Sequence, residues 1–233
     1  MRKLRSLLIQ SLLIQSLLKR QLEKRQQKIP KNTPWQQCEF LVLDMETTGL
    51  NANQDAILSM GWVAIQSGVI KLNTANHLLL SNGAVDESTA GIHLITDTDI
   101  EDQGRDPKSI ARYLRRLLKN RIVVVHHAPI ETAFLKRLWQ TFAIKELSVL
   151  VLDTLSIERH YKNKSQQLLK DGAYRLPECR ERYGLPNYSA HDALTDALAT
   201  AELLLAQIAH SNPDATIDDL TRLGGQTVRL KPH

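Results

Sequence analysis

Cysteine is scarce. The 233 residues contain two, Cys38 and Cys179, which form neither a disulfide framework nor a metal-ligand spacing. That argues against a disulfide-stapled secreted scaffold or a zinc-built fold, and makes a reducing cytoplasm the expected compartment with both thiols plain structural residues. Long hydrophobic runs are missing too. The richest Leu/Ile stretch, residues 7–18, falls short of the ~20 apolar residues that span a bilayer. Arg2, Lys3 and Arg5 before it give it a loose likeness to a signal peptide, but Gln and Ser interrupt it and no small-residue cleavage site follows. What remains, at 42% apolar residues, has the ordinary composition of a soluble globular protein, enough for one substantial domain and an appendage.

Charge is unevenly placed. Residues 1–31 hold nine Lys/Arg and one acid, for +8, whereas the other 202 residues sum to −3. Residues 1–34 therefore read as a basic, Leu-rich N-terminal extension that meets phosphate, a membrane surface or an acidic protein partner. Within it a five-residue unit repeats, Ser6-Leu7-Leu8-Ile9-Gln10, Ser11-Leu12-Leu13-Ile14-Gln15, Ser16-Leu17-Leu18-Lys19-Arg20. At about 100° per residue a period of five spreads its apolar triplets around a helix instead of lining one face. A helix docked on the body or a partner, a membrane-surface helix and a disordered arm all fit that pattern, and Pro30 and Pro34 mark its end.

The body, residues 35–210, begins with the apolar run Phe40-Leu41-Val42-Leu43, followed by strand-like segments at 56–66, 69–72 and 77–80, which together predict an antiparallel meander. Residues 81–107 are polar and read as an irregular connection. Ile110, Tyr113, Leu114, Leu117 and Leu118 follow helical spacing, with Arg112, Arg115, Arg116 and Lys119 on the solvated face. Residues 121–126 and 148–153 are short continuous apolar runs suited to strands buried on both sides, each leading into a helix. Ser189 is positioned to cap a long helix over 190–209, where Ala193, Ala197 and Ala201 recur every four residues and would let it approach a sheet closely. Residues 211–233 read as a polar tail without a clear apolar docking motif. Three leading strands and then helix–strand alternation predict an α/β fold, a mixed sheet with helices on its faces.

The strongest chemical signal is Asp44-Met45-Glu46-Thr47-Thr48-Gly49 at the end of the first strand. Residues two apart on a strand share a face, so Asp44 and Glu46 stand side by side. Two carboxylates that close repel unless a cation lies between them or one is protonated. Hard divalent ions take oxygen ligands of this kind. The plain alternative is a pair of solvated acids at a strand end. Two further blocks have compatible chemistry. Glu131, after His126-His127-Ala128-Pro129-Ile130, falls in a helix's first turn, where an acid also simply complements the helix dipole. In His191-Asp192-Ala193-Leu194-Thr195-Asp196, Ser189 and Asp192 match a capping box, and Asp192 and Asp196 share a face by i, i+4. His191 and Asp196 serve one site only if His191 lies at or before the first turn.

The three blocks in this order resemble the DEDDh 3′–5′ exonucleases, the DnaQ-like proofreading superfamily, over about residues 38–210. Asp44-x-Glu46-Thr47-Thr48-Gly49-Leu50 matches the first motif of that family. His126-His127-Ala128-Pro129-Ile130-Glu131-x-x-Phe134-Leu135 is similar to the second, usually H-N-A-x-F-D, and His191-x4-Asp196 matches the third. Ile92-His93-x-Ile95-Thr96 is similar to the family's I-H-G-I-T loop, with Leu94 where Gly is usual, and Asp153-Thr154 to an accessory strand-end pair. The resemblance implies a ribonuclease-H-like mixed five-stranded sheet flanked by helices. It also implies two Mg²⁺ or Mn²⁺ ions held by Asp44, Glu46, Glu131 and Asp196, with His191 as general base. Thr47, Thr48, His93 and Leu94 would line the terminal nucleotide. Glu131 departs from the family's Asp by one methylene. The activity implied is release of nucleoside monophosphates from nucleic-acid 3′ ends, single-stranded DNA favoured. An exoribonuclease of the oligoribonuclease or RNase T type, and a non-catalytic nucleic-acid-binding protein that kept the fold, are the rivals.

Overall fold

The computed structural model describes residues 29–81, 95–165, 170, 172–188 and 191–233. The basic extension up to residue 28, His93, Leu94 and the proposed cap Ser189 lie outside the described residues. Strand β1 (Glu39–Thr47) pairs antiparallel with β2 (Ile57–Gln66), and β2 with β3 (Val69–Leu79). Ser67 and Gly68 join the last two, both left-handed at φ 52° and 72°, the two-residue turn whose twist matches the strands it joins. On the other side of β1, β4 (Ile122–Val125) and β5 (Leu147–Asp153) add in parallel.

The sheet has six strands, not the expected five, in the order β3-β2-β1-β4-β5-β6. The extra strand, β6 (Gly225–Leu230), pairs antiparallel with β5 and comes from the stretch read as a polar tail. It alternates: Val228 and Leu230 are buried while Thr227 and Arg229 face out. Two apolar residues suffice for an edge strand with one face on the core, and so few give little signal. A short helix precedes it (Ile217–Gly224), opened by a capping box in which Thr216 and Asp219 exchange hydrogen bonds. Ile217 N–H donates to Thr33 O and Trp35 Nε1 to Pro213 O. Residues 211–230 thus close onto the start of the domain.

The described helices, numbered α1 to α7 in chain order, are Asp97–Gln103, Pro107–Leu118, Ala128–Thr141, Thr154–Lys164, Leu176–Glu181, Ala193–Ser211 and Ile217–Gly224. The first lies inside the segment expected to be irregular, where Thr96 and Asp99 form a capping box. Strand alternation then sorts the core into two layers. Leu41, Leu43, Val123 and Val125 pack on one face with Leu114, Phe134 and Trp139 of α2 and α3. Phe40, Val42, Ile122 and Val124 pack on the other with Ala201, Leu204 and Ile208 of α6. Asp44 and Glu46 continue the Phe40–Val42 face, so they point toward α6.

The α6 helix lies unusually close to the sheet. Ala193, Ala197 and Ala201 are fully buried, as their spacing predicts. The decisive partner is Gly61, which faces Asp44 across β1 and β2. A Cβ on Gly61 would lie 2.2 Å from the backbone of Ala193 and Leu194, inside any allowed contact. The missing side chain therefore lets the start of α6 sit on the strand beside Asp44.

Candidate active site

The helix start differs from expectation in a way that matters. The cap is Asp192, whose carboxylate accepts from Thr195 N–H and Oγ1 at 2.8 and 2.7 Å, and the helix begins at Ala193. His191 therefore precedes the first turn, the condition under which it and Asp196 serve one site. Its backbone is left-handed at φ 74°, a conformation that costs a non-glycine residue about 1–3 kcal/mol and is tolerated where the surroundings impose it. In that conformation its N–H donates to Asp196 Oδ2 at 3.0 Å. Asp196, in the first turn of α6, is thus aimed by the chain just ahead of it.

Asp44, Glu46 and Asp196 converge, each offering an oxygen within 4.8 Å of the others. All three carboxyls are pushed upward. Burial pushes the Asp44 carboxyl well above the usual range, and the charges of Glu131, Asp196, Glu46 and Asp192 push it further. Burial raises Glu46 to about 7, with Asp196 and Asp192 adding to it. Asp196 is raised by burial as well, and the His191 N–H bond offsets only part of that. In Asp192 burial also acts upward, but the bonds from Thr195 outweigh it and the carboxyl stays low, as befits a cap.

Glu131 stands outside the close triad, although its charge acts on Asp44. It is buried in the first turn of α3, its own carboxyl raised by burial, and its Oε2 takes no hydrogen bond. An orphaned carboxylate oxygen costs several kcal/mol unless something outside the chain satisfies it. The all-oxygen donor set and the one-sided repulsion fit a hard divalent cation. Asp44, Glu46 and Asp196 are the residues that would hold it, with Glu131 facing from α3.

The two histidines of the second block have different duties. His126 is fixed at both nitrogens, Nε2 to Tyr174 O at 2.9 Å and Nδ1 to Thr154 Oγ1 at 2.8 Å. A carbonyl only accepts, so Nε2 carries the proton. Burial lowers the pKa of the ring, and the Thr154 hydroxyl that meets Nδ1 also donates to Val125 O at 3.1 Å. His127 caps α3 at φ 88° and donates its N–H to Asp153 Oδ1 at 2.9 Å. Asp153 is itself the cap of α4, accepting from Leu155 N–H and Ser156 Oγ. The accessory Asp153-Thr154 pair is therefore local structure that ties β4, β5 and their helices together.

These groups line an open cleft of about 880 Å³ that includes Asp44, Glu46, His191 and Asp196. The Thr47 hydroxyl donates to Gly49 O at 2.7 Å, and the Thr48 hydroxyl bonds Asp55 and accepts from Ala56 N–H, so both serve the turn after β1. From that turn Leu50 borders the cleft, 75% exposed. Arg159, Tyr174, Arg175 and Glu178 also line the cleft. Sequence reasoning missed all five. An exposed Leu behind a Thr-Thr-Gly turn was a usable signal for Leu50, whereas the others come from α4, α5 and the segment between them without any motif.

The RNase T exonuclease family model matches residues 41–204. The chain belongs to that exonuclease family. Its exonuclease domain is homologous to the epsilon subunit of DNA polymerase III from Treponema pallidum, 28% identical over 172 residues, covering 73% of this chain and 77% of that protein. It is 31% identical over 179 residues to a PolC-type DNA polymerase III from Thermotoga petrophila, covering 75% of this chain but 12% of that protein. The chain thus spans about an eighth of the length of that larger relative. The solved structure of exonuclease X in complex with 5′ overhanging duplex DNA aligns with a TM-score of 0.60 at 18% identity, covering 79% of this chain and 98% of that one. The α/β fold read from the sequence is therefore the fold of this exonuclease group. No helix among the described residues is long and apolar enough to cross a membrane.

Proposed function

We propose that the protein is a metal-dependent 3′–5′ exonuclease that hydrolyses phosphodiester bonds at nucleic-acid 3′ ends, single-stranded DNA favoured, and releases nucleoside monophosphates. The observation that carries this reading is the convergence of Asp44, Glu46 and Asp196 within 4.8 Å on the lining of an open cleft, where burial and then four neighbouring carboxylates raise Asp44. Asp44, Glu46 and Asp196, together with Glu131, would hold Mg²⁺ or Mn²⁺, two per site. When bound, such ions neutralise charge on the phosphate and lower the pKa of water.

The remaining work falls to the chain. His191, which borders the cleft and is tethered through its N–H to Asp196, takes the proton of the attacking water. His126 cannot serve, since both its nitrogens are committed. Leu50 presents an apolar surface from the Thr47-Thr48-Gly49 turn to the terminal nucleotide. The supporting precedent is exonuclease X, whose structure is a complex with 5′ overhanging duplex DNA.

The test gives 5′-labelled single-stranded DNA, duplex DNA and RNA to the protein with Mg²⁺, with Mn²⁺ and with EDTA. A ladder shortening from the 3′ end in metal and absent in EDTA is expected, with none from Asp44→Asn. Cleavage in EDTA, or by Asp44→Asn, would overturn the reading. RNA cut faster than DNA would make it an exoribonuclease. His191→Ala is expected to lower turnover by about 10²–10⁴ with little change in binding. Full turnover in that variant, with Asp192→Ala inactive, would move the base to Asp192.

A further inference from the structure

A nucleic acid is a polyanion, yet the cleft it must enter is floored by carboxylates. Asp44, Glu46 and Asp196 border it, and so does Glu178, whose Oε2 is buried without a hydrogen bond. Against these stand, among the described residues, two arginines, Arg159 of α4 and Arg175 just ahead of α5, and no lysine. Both are exposed. Among the described residues neither guanidinium is ion-paired with a carboxylate. Their near neighbours in sequence make the contrast: Arg180 is committed to Glu202, Ala199 O and Pro186 O, and Arg182 to Glu158.

Neither arginine hangs loose. The Arg159 guanidinium lies 5.2 Å above the Tyr174 ring, a cation–π contact that fixes its direction. Tyr174 is in turn held to the end of β4, because its carbonyl accepts from the structurally locked His126. Arg175 closes a tight turn, donating its N–H to Gly172 O at 3.1 Å with Gly172 left-handed at φ 91°. A Cβ on Gly172 would stand 3.8 Å from Arg175 Nε, so the guanidinium rests against the turn. The cost of ordering two long side chains is thereby met before a ligand arrives.

We propose that Arg159 and Arg175 form a phosphate-binding wall for a single nucleic-acid strand, holding backbone phosphates of nucleotides that lie 5′ of the bond to be cut. The proposal rests on the exonuclease reading above. Tyr174 acts as a positioning residue that orients Arg159. The acidic floor and Glu178 repel phosphate elsewhere in the cleft, so the strand follows the two arginines.

The test measures binding of a fluorescein-labelled twelve-nucleotide DNA strand to the full chain in Ca²⁺ across a salt series, by anisotropy. Each phosphate contact on a single strand contributes about 0.7 to the slope of log affinity against log salt. Arg159→Ala with Arg175→Ala is expected to reduce that slope by about 1.4 and to weaken binding about tenfold near 0.1 M salt. The Arg159→Lys, Arg175→Lys chain, which keeps the charges, is expected to retain the slope. An unchanged slope in the alanine chain overturns the wall, and so does an equal loss in the lysine chain, which would mean damage to the fold. Cleavage by the unaltered protein in Mg²⁺ reports on the acidic centre alone, so failure of the wall and failure of the exonuclease reading are told apart.

Discussion

The buried acid Glu158 and the buried acids around Asp44 are built on opposite plans. Glu158 of α4 is 1% exposed and fully partnered, accepting from Arg182 Nε at 2.7 Å, Tyr183 OH at 2.8 Å and Gln207 Nε2 at 3.4 Å. Asp44 is surrounded by charges of its own sign, and Glu131 keeps an oxygen with no hydrogen bond at all. A buried carboxylate that the chain satisfies is structural. One that the chain leaves repelled stores unfavourable energy that an outside cation or a bound proton removes. The difference identifies the functional cluster without reference to any motif, and it makes the two clusters respond oppositely to the same substitution.

Neutralising each acid in turn gives the largest expected contrast. Glu158→Gln strands the Arg182 charge. Because the Arg182 side chain is 23% exposed, the loss falls at the lower end for a broken buried pair, about 3 kcal/mol. Asp44→Asn removes repulsion, so the metal-free protein should become more stable, by about 1 kcal/mol, while metal-dependent cleavage disappears. Urea denaturation in EDTA reads both, and a destabilised Asp44→Asn chain would break the distinction.

The pH dependence follows with its sign. The folded Glu46 carboxyl titrates near 7 against an ordinary 4.5, so between those values the native state binds more protons than the unfolded chain. Stability of the metal-free protein therefore falls as pH rises from 5 to 8, by on the order of 2 kcal/mol. Millimolar Mg²⁺ should cancel that slope by binding the ionised cluster. Thermal unfolding at pH 5 and pH 8, with and without Mg²⁺, checks it. A metal-free protein more stable at pH 8 would contradict the electrostatic account of the site.

Gly61→Ala tests how the acidic cluster is assembled. The added Cβ meets the backbone of Ala193 and Leu194, so α6 must shift outward and carry Asp196 from Asp44. A stability loss of about 2 kcal/mol is expected, with Mn²⁺ affinity lowered further than stability alone explains. Isothermal titration of Mn²⁺ reads the second effect. Unchanged affinity would mean that Asp196 reaches the site without the close approach.

These tests bear on residues of unequal legibility. The alternation from Phe40 to Glu46 told from the sequence which side chains share a face, because strand period is a local property. The alanine spacing of α6 likewise announced a close approach. What it approached was not readable: Gly61 becomes meaningful only once β1 and β2 are in register and Asp44 is its partner. Strand β6 was missed because two apolar residues, Val228 and Leu230, carry the whole signal. The helix start moved from the Ser189 box to Asp192, since Asp192 caps through Thr195 and that choice depends on how the preceding chain arrives. Arg159 and Tyr174 meet only through the fold, and His126 ties Tyr174 to the end of β4.

The smallest effect is the most discriminating, because it touches the satisfied cluster alone. Tyr183 OH donates to Glu158 Oε2 at 2.8 Å, and burial together with that bond pushes the phenol pKa up. Tyr183→Phe removes one hydrogen bond to a carboxylate that keeps Arg182 and Gln207, so the loss should be about 1.5 kcal/mol. It should leave Mn²⁺ affinity unchanged, because Glu158 borders neither the cleft nor the triad. Denaturation paired with metal titration reads the two numbers side by side. A shift in metal affinity would show that strain passes from α4 and α5 through α6 to Asp196, and the two acid clusters would then be one coupled system.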